Sequence, residues 1–448
     1  CNKRINPRFK MYTFAYCSLV VVCFGSISAD VNSDSGYNFL VIVTDDQDIM
    51  LNGMFTTSPI CCPSRSSILT GKYAHNHQTK NNSRSGGCYG RVWRETIEPA
   101  ALPVWLSHAG YDTFFAGKYL NEYFSASIPP GWSQWFGLHG NSRYYNFTVT
   151  ENGKVATYTN EYFTDYLDTK TVNFLKNLRA DRHFFAMVTP PAPHAPFTPA
   201  DRHKDLFPNV KAIQTPNFNI SSSPLRNVDG SEKHWLLTME PSTLPLKFLD
   251  EMDTIHRQFS QAYDKRQPYE TDIRVPLFVR GPTIKPKAVQ ESAVALLDIV
   301  PTILQLANLE LPSFLDGQPL PLHSDADVLI ERQLLVEYWG EGSLETYNPE
   351  CPWAAQDRLQ LCTVDAACHC QDAWNNTYNC VRHLATDLNF IYCEFKDNQN
   401  FVEAYDIAND LYQMKNIGFE ILPSIRAKYS LAIQNLTACV GHTCHIIY

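Results

Sequence analysis

The chain lacks two features that would place it in large functional classes. Positive charge is not in excess, because 37 Lys and Arg stand against 46 Asp and Glu and give a net charge of −9. This balance argues against a general nucleic-acid binder. No stretch is long and apolar enough to span a membrane comfortably, since even the apolar run at residues 14–24 falls short of the roughly 20 residues required. We therefore expect no nucleic-acid partner and no stable membrane insertion.

The composition supports a large folded protein. Of the 448 residues, 44% are hydrophobic and 19% are charged, which excludes global disorder and supplies a sizeable core. At roughly 100–200 residues per domain, this length allows two to three domains. A few well-placed Lys and Arg could still bind an anionic small substrate despite the negative balance.

The N-terminal segment has the layout of a secretory signal peptide. Basic residues precede the apolar run at 14–24, and small residues follow it up to Ala29. We predict that residues 1–29 form a signal peptide cleaved near Ala29, and that residues 1–10 precede the true start at Met11. The alternative, a membrane anchor, is disfavoured by the short run.

Cysteines and glycosylation sequons agree with passage through the secretory pathway. Eight of the 14 cysteines lie between positions 351 and 444, which indicates an oxidised, disulfide-tied region. The five Asn-x-Ser/Thr sequons begin at Asn81, Asn146, Asn219, Asn375 and Asn435. Together they favour a glycoprotein of the secretory pathway.

Strand and helix patterns alternate along most of the chain and predict an α/β fold. Apolar β-rich runs occur at 38–44, 111–116, 183–188 and 275–280, and helical segments occur at 64–70, 102–109 and 162–178. This alternation predicts a large, mostly parallel sheet with helices on both faces over residues 30–324. Residues 325–448, which are richer in cysteine and aromatics, are predicted to form a smaller α+β domain ending in a helix at 421–436.

Polar groups follow several of the predicted strands. Asp45-Asp46, Lys118 and His194 each come just after a strand, and Arg65 lies in the segment that leads into the first helix. Strand ends at one edge of an open α/β sheet converge on a common crevice. Two adjacent carboxylates there repel each other unless a hard cation binds them, so Ca²⁺ or Mg²⁺ is expected. A metal with Arg and Lys suits a tetrahedral oxyanion, either sulfate or phosphate.

The segment at residues 61–72, Cys-Cys-Pro-Ser-Arg-Ser-Ser-Ile-Leu-Thr-Gly-Lys, is the most specific motif. It resembles the Cys-x-Pro-Ser-Arg-x-x-x-Leu-Thr-Gly signature of the sulfatase family. The resemblance implies an alkaline-phosphatase-like fold and oxidation of Cys61 to formylglycine by the formylglycine-generating enzyme. Pro63 and Arg65 would direct that oxidation. The alternative interpretation of Cys61 and Cys62 is a disulfide pair. With the leader cysteines and Cys61 removed, ten cysteines remain, an even number that could all pair.

The resemblance covers nearly the whole mature chain and is greatest with the branch that removes 6-sulfate from N-acetylglucosamine in heparan and keratan sulfate. It is carried by residues 44–48, 71–73, 114–123, 191–194, 233–235, 264–267, 336–338, 375–378 and 392–395. It implies a lysosomal enzyme that acts on sulfated glycosaminoglycans, with secretion as the alternative.

The same resemblance implies the roles of individual residues. Asp45 and Asp46 would hold Ca²⁺ together with the modified Cys61, and Lys118 and Lys265 would bind sulfate oxygens. His194 would lie near the leaving oxygen as a hydrogen-bond donor or acid, and Arg65 would contact the modified side chain or the sulfate. The segment 75–77, His-Asn-His, would line the pocket. One hydroxyl of the hydrated aldehyde would attack sulfur, and the second would lose its proton to expel sulfate.

The chain also departs from this family. Only 12 residues separate Asp48 from Cys61, and no Asp-Asn-Gly, which would complete the metal shell, occurs anywhere. Asp253 or His256 could substitute for a lost ligand, and the loss of a central strand would open the sheet. The alternative function is therefore an inactive or truncated sulfatase relative that at most binds sulfated glycans. A phosphatase or phosphodiesterase is disfavoured, because that class uses an unmodified Ser or Thr nucleophile.

Overall fold

The computed structural model describes residues 20–25, 36–46, 54–206, 265–282, 284–285, 288–322, 329–340, 372–397 and 399–448. The strands are β1 Val20–Gly25, β2 Asn38–Val43, β3 Met54–Phe55, β4 Asp112–Lys118, β5 Gln134–Leu138, β6 Phe147–Glu151, β7 Lys154–Tyr158, β8 Phe184–Thr189, β9 Leu277–Arg280, β10 Val294–Ala295, β11 Arg332–Tyr338, β12 Tyr378–Ala385, β13 Leu388–Phe395 and β14 Val402–Asp406. The α-helices are α1 Cys61–Thr70, α2 Ala74–His77, α3 Leu102–His108, α4 Phe163–Lys176, α5 Glu270–Ile273, α6 Ile299–Leu306 and α7 Pro423–Leu436.

A mixed eight-stranded sheet forms the centre of the molecule, in the order β7-β6-β5-β4-β8-β2-β1-β9. Strands β2, β8, β4 and β5 are parallel to their neighbours in this group, whereas β6 and β7 add as antiparallel strands at one edge. The predicted α/β fold with a mostly parallel central sheet is confirmed. Since β2, β8 and β4 run in the same direction, their carboxyl ends meet at one edge of the sheet.

Helices cover both faces of this sheet, each through an apolar cluster. On one face Phe115 stacks on Trp135, and α1, α3 and α6 pack around them. On the other face Phe174 of α4 stacks on Phe114 of β4. Neighbouring residues of β4 thus serve opposite faces, as strand geometry requires. Because both faces of β4 are buried, the strand that carries Lys118 at its end has a fixed position.

Strand β1 lies inside the segment that the sequence predicts to be a signal peptide. Its backbone pairs antiparallel with β2 and parallel with β9, so that it lies between them. The sequence predicted that a missing central strand would leave the sheet open, but in this structure Val20–Gly25 fills a position there. A β-branched run has strong strand propensity, which accounts for its recruitment. Cleavage near Ala29 stays a prediction.

A second, four-stranded antiparallel sheet follows, in the order β11-β12-β13-β14. A disulfide joins Cys380 and Cys393, which are directly opposed on β12 and β13, and α7 packs against the sheet. Its core also includes Phe55 and Ile60, which lead into α1. The first strand of this sheet begins at Arg332, and the predicted domain boundary is at residue 325. The sheet packs against the residues that lead into α1.

Among the residues that the structure describes, no helix has the length and apolar character needed to cross a bilayer.

Candidate active site

Helix α1 presents Cys61 at its first residue. Ile60 is extended, Pro63 lies in the first turn where a missing N–H costs nothing, and the helix ends at Gly71 with a left-handed φ of 69°. A Cβ at Gly71 would also lie only 3.0 Å from Leu315 and Val300. The predicted helix at 64–70 is confirmed, and it begins about one turn earlier, at Cys61. Because the amino end of the helix carries partial positive charge, it favours an anion beside Cys61.

Cys62 and Cys61 have different states. Cys62 forms a disulfide with Cys88, and its backbone N–H donates to Asn82 Oδ1 at 2.9 Å. Cys61 is a buried free thiol. The alternative that Cys61 and Cys62 pair with each other is therefore wrong. Adjacent residues on a helix point about 100° apart, so one side chain enters the core and the other enters the site.

Asp45 is a buried carboxylate at the end of β2, and cations surround it. Lys118 Nζ lies 2.6 Å from Oδ2, Arg65 Nη2 lies 3.0 Å from Oδ1, and Ser142 Oγ donates at 2.8 Å. Lys118 also donates to Asn141 Oδ1 at 2.8 Å. Burial raises the pKa of Asp45, but Lys118 and Arg65 outweigh it and hold this pKa well below its usual value. The group is a fixed, compensated ion cluster.

Asp46 turns away from this cluster into a more open space. Its φ of 55° lies in the left-handed region, and its side chain is 28% exposed. Lys265 Nζ lies 2.6 Å from both carboxylate oxygens, and His194 Nε2 lies 3.2 Å from Oδ2. Burial raises the pKa of Asp46, but the charges of His194 and Lys265 lower it overall.

The Cys61 sulfur lies between these charged groups. It is 3.0 Å from Lys265 Nζ and 3.8 Å from Asp46 Oδ1. Burial raises the pKa of the thiol, but Lys118 and Lys265 reverse the effect and lower it to about 7. The sulfur marks where an oxygen of a modified residue 61 would lie. The site is therefore arranged to hold negative charge at this position.

His194 enters the site from the loop after β8. Its ring Nδ1 contacts the Ala195 carbonyl at 2.6 Å, and its own carbonyl accepts from Tyr144 Oη at 2.6 Å. Each ring nitrogen therefore faces an acceptor oxygen, an arrangement that suits the doubly protonated imidazolium. Burial lowers the pKa of His194, but Asp46 and Asp45 outweigh it and raise this pKa above 6.5. The structure thus brings together all seven predicted site residues: Asp45, Asp46, Cys61, Arg65, Lys118, His194 and Lys265.

Carboxylate oxygens of the site are the type of ligand that a hard cation prefers, but they are fewer than such a cation needs. Ligand atoms of Asp46, Cys61 and His194 lie within 4.8 Å of one another. Asp45 is nearby, but its carboxylate oxygens accept hydrogen bonds from Lys118, Arg65 and Ser142. Ca²⁺ takes six to eight oxygen ligands, and the described residues supply few of them. A bound Ca²⁺ would therefore depend on water and substrate oxygens.

The side chains of the segment at 75–77 contact other elements of the fold, and its place in the pocket lining stays a prediction. His75 Nδ1 contacts Glu337 Oε1 at 2.9 Å, and Asn76 Nδ2 donates to Asp316 Oδ2 at 2.8 Å. His77 bonds Ser67 Oγ at 3.1 Å. These contacts join α2 to α1, to β11 and to the loop that contains Asp316.

Sequence reasoning missed Asn141 and Ser142, which orient Lys118 and Asp45. Their signal was the polar turn directly after the strand that ends at Leu138. The predicted substitutes Asp253 and His256, the family-like segment at 233–235, and the cysteines at 351, 362, 368 and 370 lie outside the described residues.

Two family models match the chain. Residues 31–233 match the sulfatase model, and residues 260–343 match the model of the C-terminal region of N-sulphoglucosamine sulphohydrolase. The chain is 37% identical to N-acetylglucosamine-6-sulfatase of Homo sapiens over 483 residues, which cover 91% of this chain and 85% of that one. It is 36% identical to the enzyme of the same name from Capra hircus, over 94% of this chain and 87% of that one.

The fold is also similar to solved structures. The structure of BT4656 in complex with its substrate D-glucosamine-2-N,6-O-disulfate has a TM-score of 0.61 and 19% identity, and covers 90% of this chain and 97% of that chain. The fold, the motif at residue 61 and the relatives at 36–37% identity agree. The chain therefore belongs to the sulfatase family of sulfuric ester hydrolases.

Proposed function

We propose that the chain removes 6-sulfate groups from N-acetylglucosamine residues of heparan and keratan sulfate. The observation that carries this proposal is the position of Cys61, at a helix amino end between Lys265 and the two aspartates. The names of its relatives and the disulfated glucosamine bound to a structural neighbour support the choice of sugar.

Residue 61 is the nucleophile in this mechanism. Oxidation of Cys61 to formylglycine, followed by hydration, gives a geminal diol in place of the thiol. Lys265 and Lys118, which already lower the pKa of the thiol, would favour a diol oxygen bearing negative charge. That oxygen attacks sulfur, and the second hydroxyl later loses its proton to release sulfate and restore the aldehyde.

The cations have separate tasks. Arg65 donates to the Lys118 carbonyl at 2.6 Å and to Asp45, so that it fixes the end of β4 beside residue 61. Lys118 is fully buried and aims its ammonium group at the cluster. Lys265 is 21% exposed on its side chain and can exchange Asp46 for an incoming sulfate oxygen.

His194 protonates the leaving sugar oxygen. Its raised pKa keeps the imidazolium populated in mildly acidic solution, which suits an acidic compartment. Tyr144 fixes the main chain of His194, so that Nε2 stays at the mouth of the site.

Ca²⁺ would be held by Asp46 and the modified side chain at position 61, and Asp45 would join them by exchanging its contact with Lys118 or Arg65 for the metal. When bound, it would neutralise charge on the sulfate oxygens. We further propose that the formylglycine-generating enzyme is a partner during biosynthesis, and that the protein reaches the lysosome through the secretory pathway, with secretion as the alternative.

Peptide mass spectrometry and kinetics test the proposal together. The peptide that contains residue 61 should carry formylglycine, and the purified chain should release sulfate from 6-sulfated N-acetylglucosamine. Cys61→Ala should abolish release. An unmodified cysteine in active protein would refute the mechanism. Formylglycine without any turnover would instead favour the inactive relative that only binds sulfated glycans, which the missing Asp-Asn-Gly motivates.

A further inference from the structure

Two lysines from distant parts of the sequence meet at one indole ring. Lys80 Nζ lies 4.4 Å from the centroid of the Trp339 ring, and Lys396 Nζ lies 4.0 Å from the same centroid. Lys80 follows α2, Trp339 follows β11, and Lys396 follows β13. In the portion of the chain that the structure describes, neither ammonium group has a hydrogen bond or an ion pair. We call these three residues the lysine-tryptophan cluster.

A hydrogen bond to a buried carboxylate fixes the orientation of the Trp339 ring. Trp339 Nε1 donates to Glu337 Oε2 at 3.1 Å, and Glu337 is fully buried. The other carboxylate oxygen, Oε1, accepts from the backbone N–H of His75 at 3.1 Å and contacts His75 Nδ1 at 2.9 Å. Burial lowers the pKa of His75, but Glu337 raises it overall. The single negative charge of Glu337 lies beside two ammonium groups, so the three side chains together keep a net positive charge.

The lysine-tryptophan cluster is tied to the residues that flank Cys61. The backbone N–H of Glu337 donates to the Thr57 carbonyl at 2.9 Å, four residues before Cys61. Asn82, two residues after Lys80, accepts from the N–H of Cys62 at 2.9 Å. The segments that carry Trp339 and Lys80 are thus anchored at the start of α1. The cluster is therefore connected to the start of α1, which carries Cys61, through these two hydrogen bonds.

Two ammonium groups beside one ring repel each other. Burial lowers the pKa of Lys396 most, Glu337 raises it, and the charge of Lys80 lowers it further. An anionic group bound to both would relieve this repulsion. Sugars with sulfate or carboxylate substituents offer such a group.

We propose that the lysine-tryptophan cluster is an accessory subsite for the anionic group of a second sugar in the substrate chain. This inference rests on the proposed function in that a sulfated glycan must occupy the site. The subsite would make the enzyme prefer an oligosaccharide to a single sulfated sugar, because the extra contact is absent from a monosaccharide.

The test compares two double variants of the full chain. Lys80→Gln with Lys396→Gln removes both ammonium groups of the cluster. Lys170→Gln with Lys428→Gln is the matched control, since each of these lysines also lies over an aromatic ring and the net charge changes equally. Both are placed in the Cys61→Ala background for calorimetric binding of a 6-sulfated heparan tetrasaccharide, and in the wild-type background for turnover.

The cluster variant should bind the tetrasaccharide about tenfold more weakly, which is about 1.4 kcal/mol. The loss should shrink at high salt, because exposed charges are screened. Turnover of 6-sulfated N-acetylglucosamine monosaccharide should stay within twofold. Equal affinity of the cluster and control variants would overturn the inference. Weakened binding in a protein with no turnover would uphold the subsite while the proposed hydrolysis fails.

Two tetrasaccharides distinguish the anionic group. One carries a 2-O-sulfate on the neighbouring uronic acid, and the other carries only the carboxylate. If the cluster binds sulfate, the variant loses affinity for the first and not for the second. Equal losses for both assign the carboxylate. No loss with either sugar contradicts the subsite.

Discussion

Asp45 and Asp46 are neighbours in the chain, yet their surroundings differ. Asp45 is 3% exposed and is bonded to Lys118, Arg65 and Ser142, whereas Asp46 is open to solvent and faces Lys265, His194 and Cys61. One carboxylate belongs to the framework, and the other belongs to the working half of the site. The difference shows that two adjacent residues of one motif can have separate roles when one of them adopts a left-handed backbone conformation.

The largest expected effect is at the working half. Cys61→Ala should lower kcat by at least about 10⁴-fold, because it removes the proposed nucleophile. The free energy of unfolding should change little, since Cys61 forms no disulfide. Sulfate release and urea unfolding measure the two quantities. Substantial residual turnover would show that another residue attacks sulfur.

A substitution in the framework half, at Asp45, should lower the stability of the fold. Asp45→Asn should lower the free energy of unfolding by about 3–5 kcal/mol, because Lys118 and Arg65 would stay buried without their carboxylate. Asp46→Asn should cost no more than about 1 kcal/mol, because its ion pairs are partly exposed. Urea titration of both variants checks this contrast. Equal losses would contradict the division between framework and working half.

His194 should give the site its dependence on pH. Its pKa is raised above 6.5, so turnover should fall as pH rises through that raised value. His194→Gln should lower kcat by about 10²–10³-fold and remove this alkaline fall. The same group should contribute stability that is full below pH 6.5 and is lost as pH rises through the raised pKa. A wild-type profile with no alkaline fall would exclude His194 as the acid.

The smallest expected effect concerns Lys265 and the unmodified thiol. Lys265→Met should raise the pKa of Cys61 from about 7 by about one unit, because it removes an ammonium group 3.0 Å from the sulfur. Ultraviolet absorbance of the thiolate across a pH series measures the shift in protein that lacks formylglycine. Lys170→Met is the control and should leave the titration unchanged. A shift in both variants would indicate a general charge effect.

Much of this arrangement could be predicted from the sequence, because strand ends and the motif at residue 61 are local signals. The glycine stop after α1 and the polar residues after β2, β4 and β8 placed the site at one edge of the sheet. The different environments of Asp45 and Asp46 could not be predicted, because they depend on a single left-handed residue and on Asn141 and Ser142 from another loop.

Two further features also escaped the sequence. The partner of Cys62 could not be chosen, because cysteine spacing does not determine connectivity. The place of Val20–Gly25 in the sheet was unexpected, because an apolar β-branched run has the same composition in a leader and in a buried strand.

The disulfide between Cys62 and Cys88 has a consequence for the order of events during biosynthesis. Cys61 is 6% exposed, and nine of the ten residues of α1 are buried. A modifying enzyme therefore could not bind this segment in the folded protein. Oxidation of Cys61 would therefore have to come before α1 is sealed into the core. Until then Cys88 faces two adjacent thiols, and early conversion of Cys61 would remove the wrong partner. If Cys61 is converted to formylglycine as proposed, that conversion would leave Cys62 as the one neighbouring thiol available to Cys88.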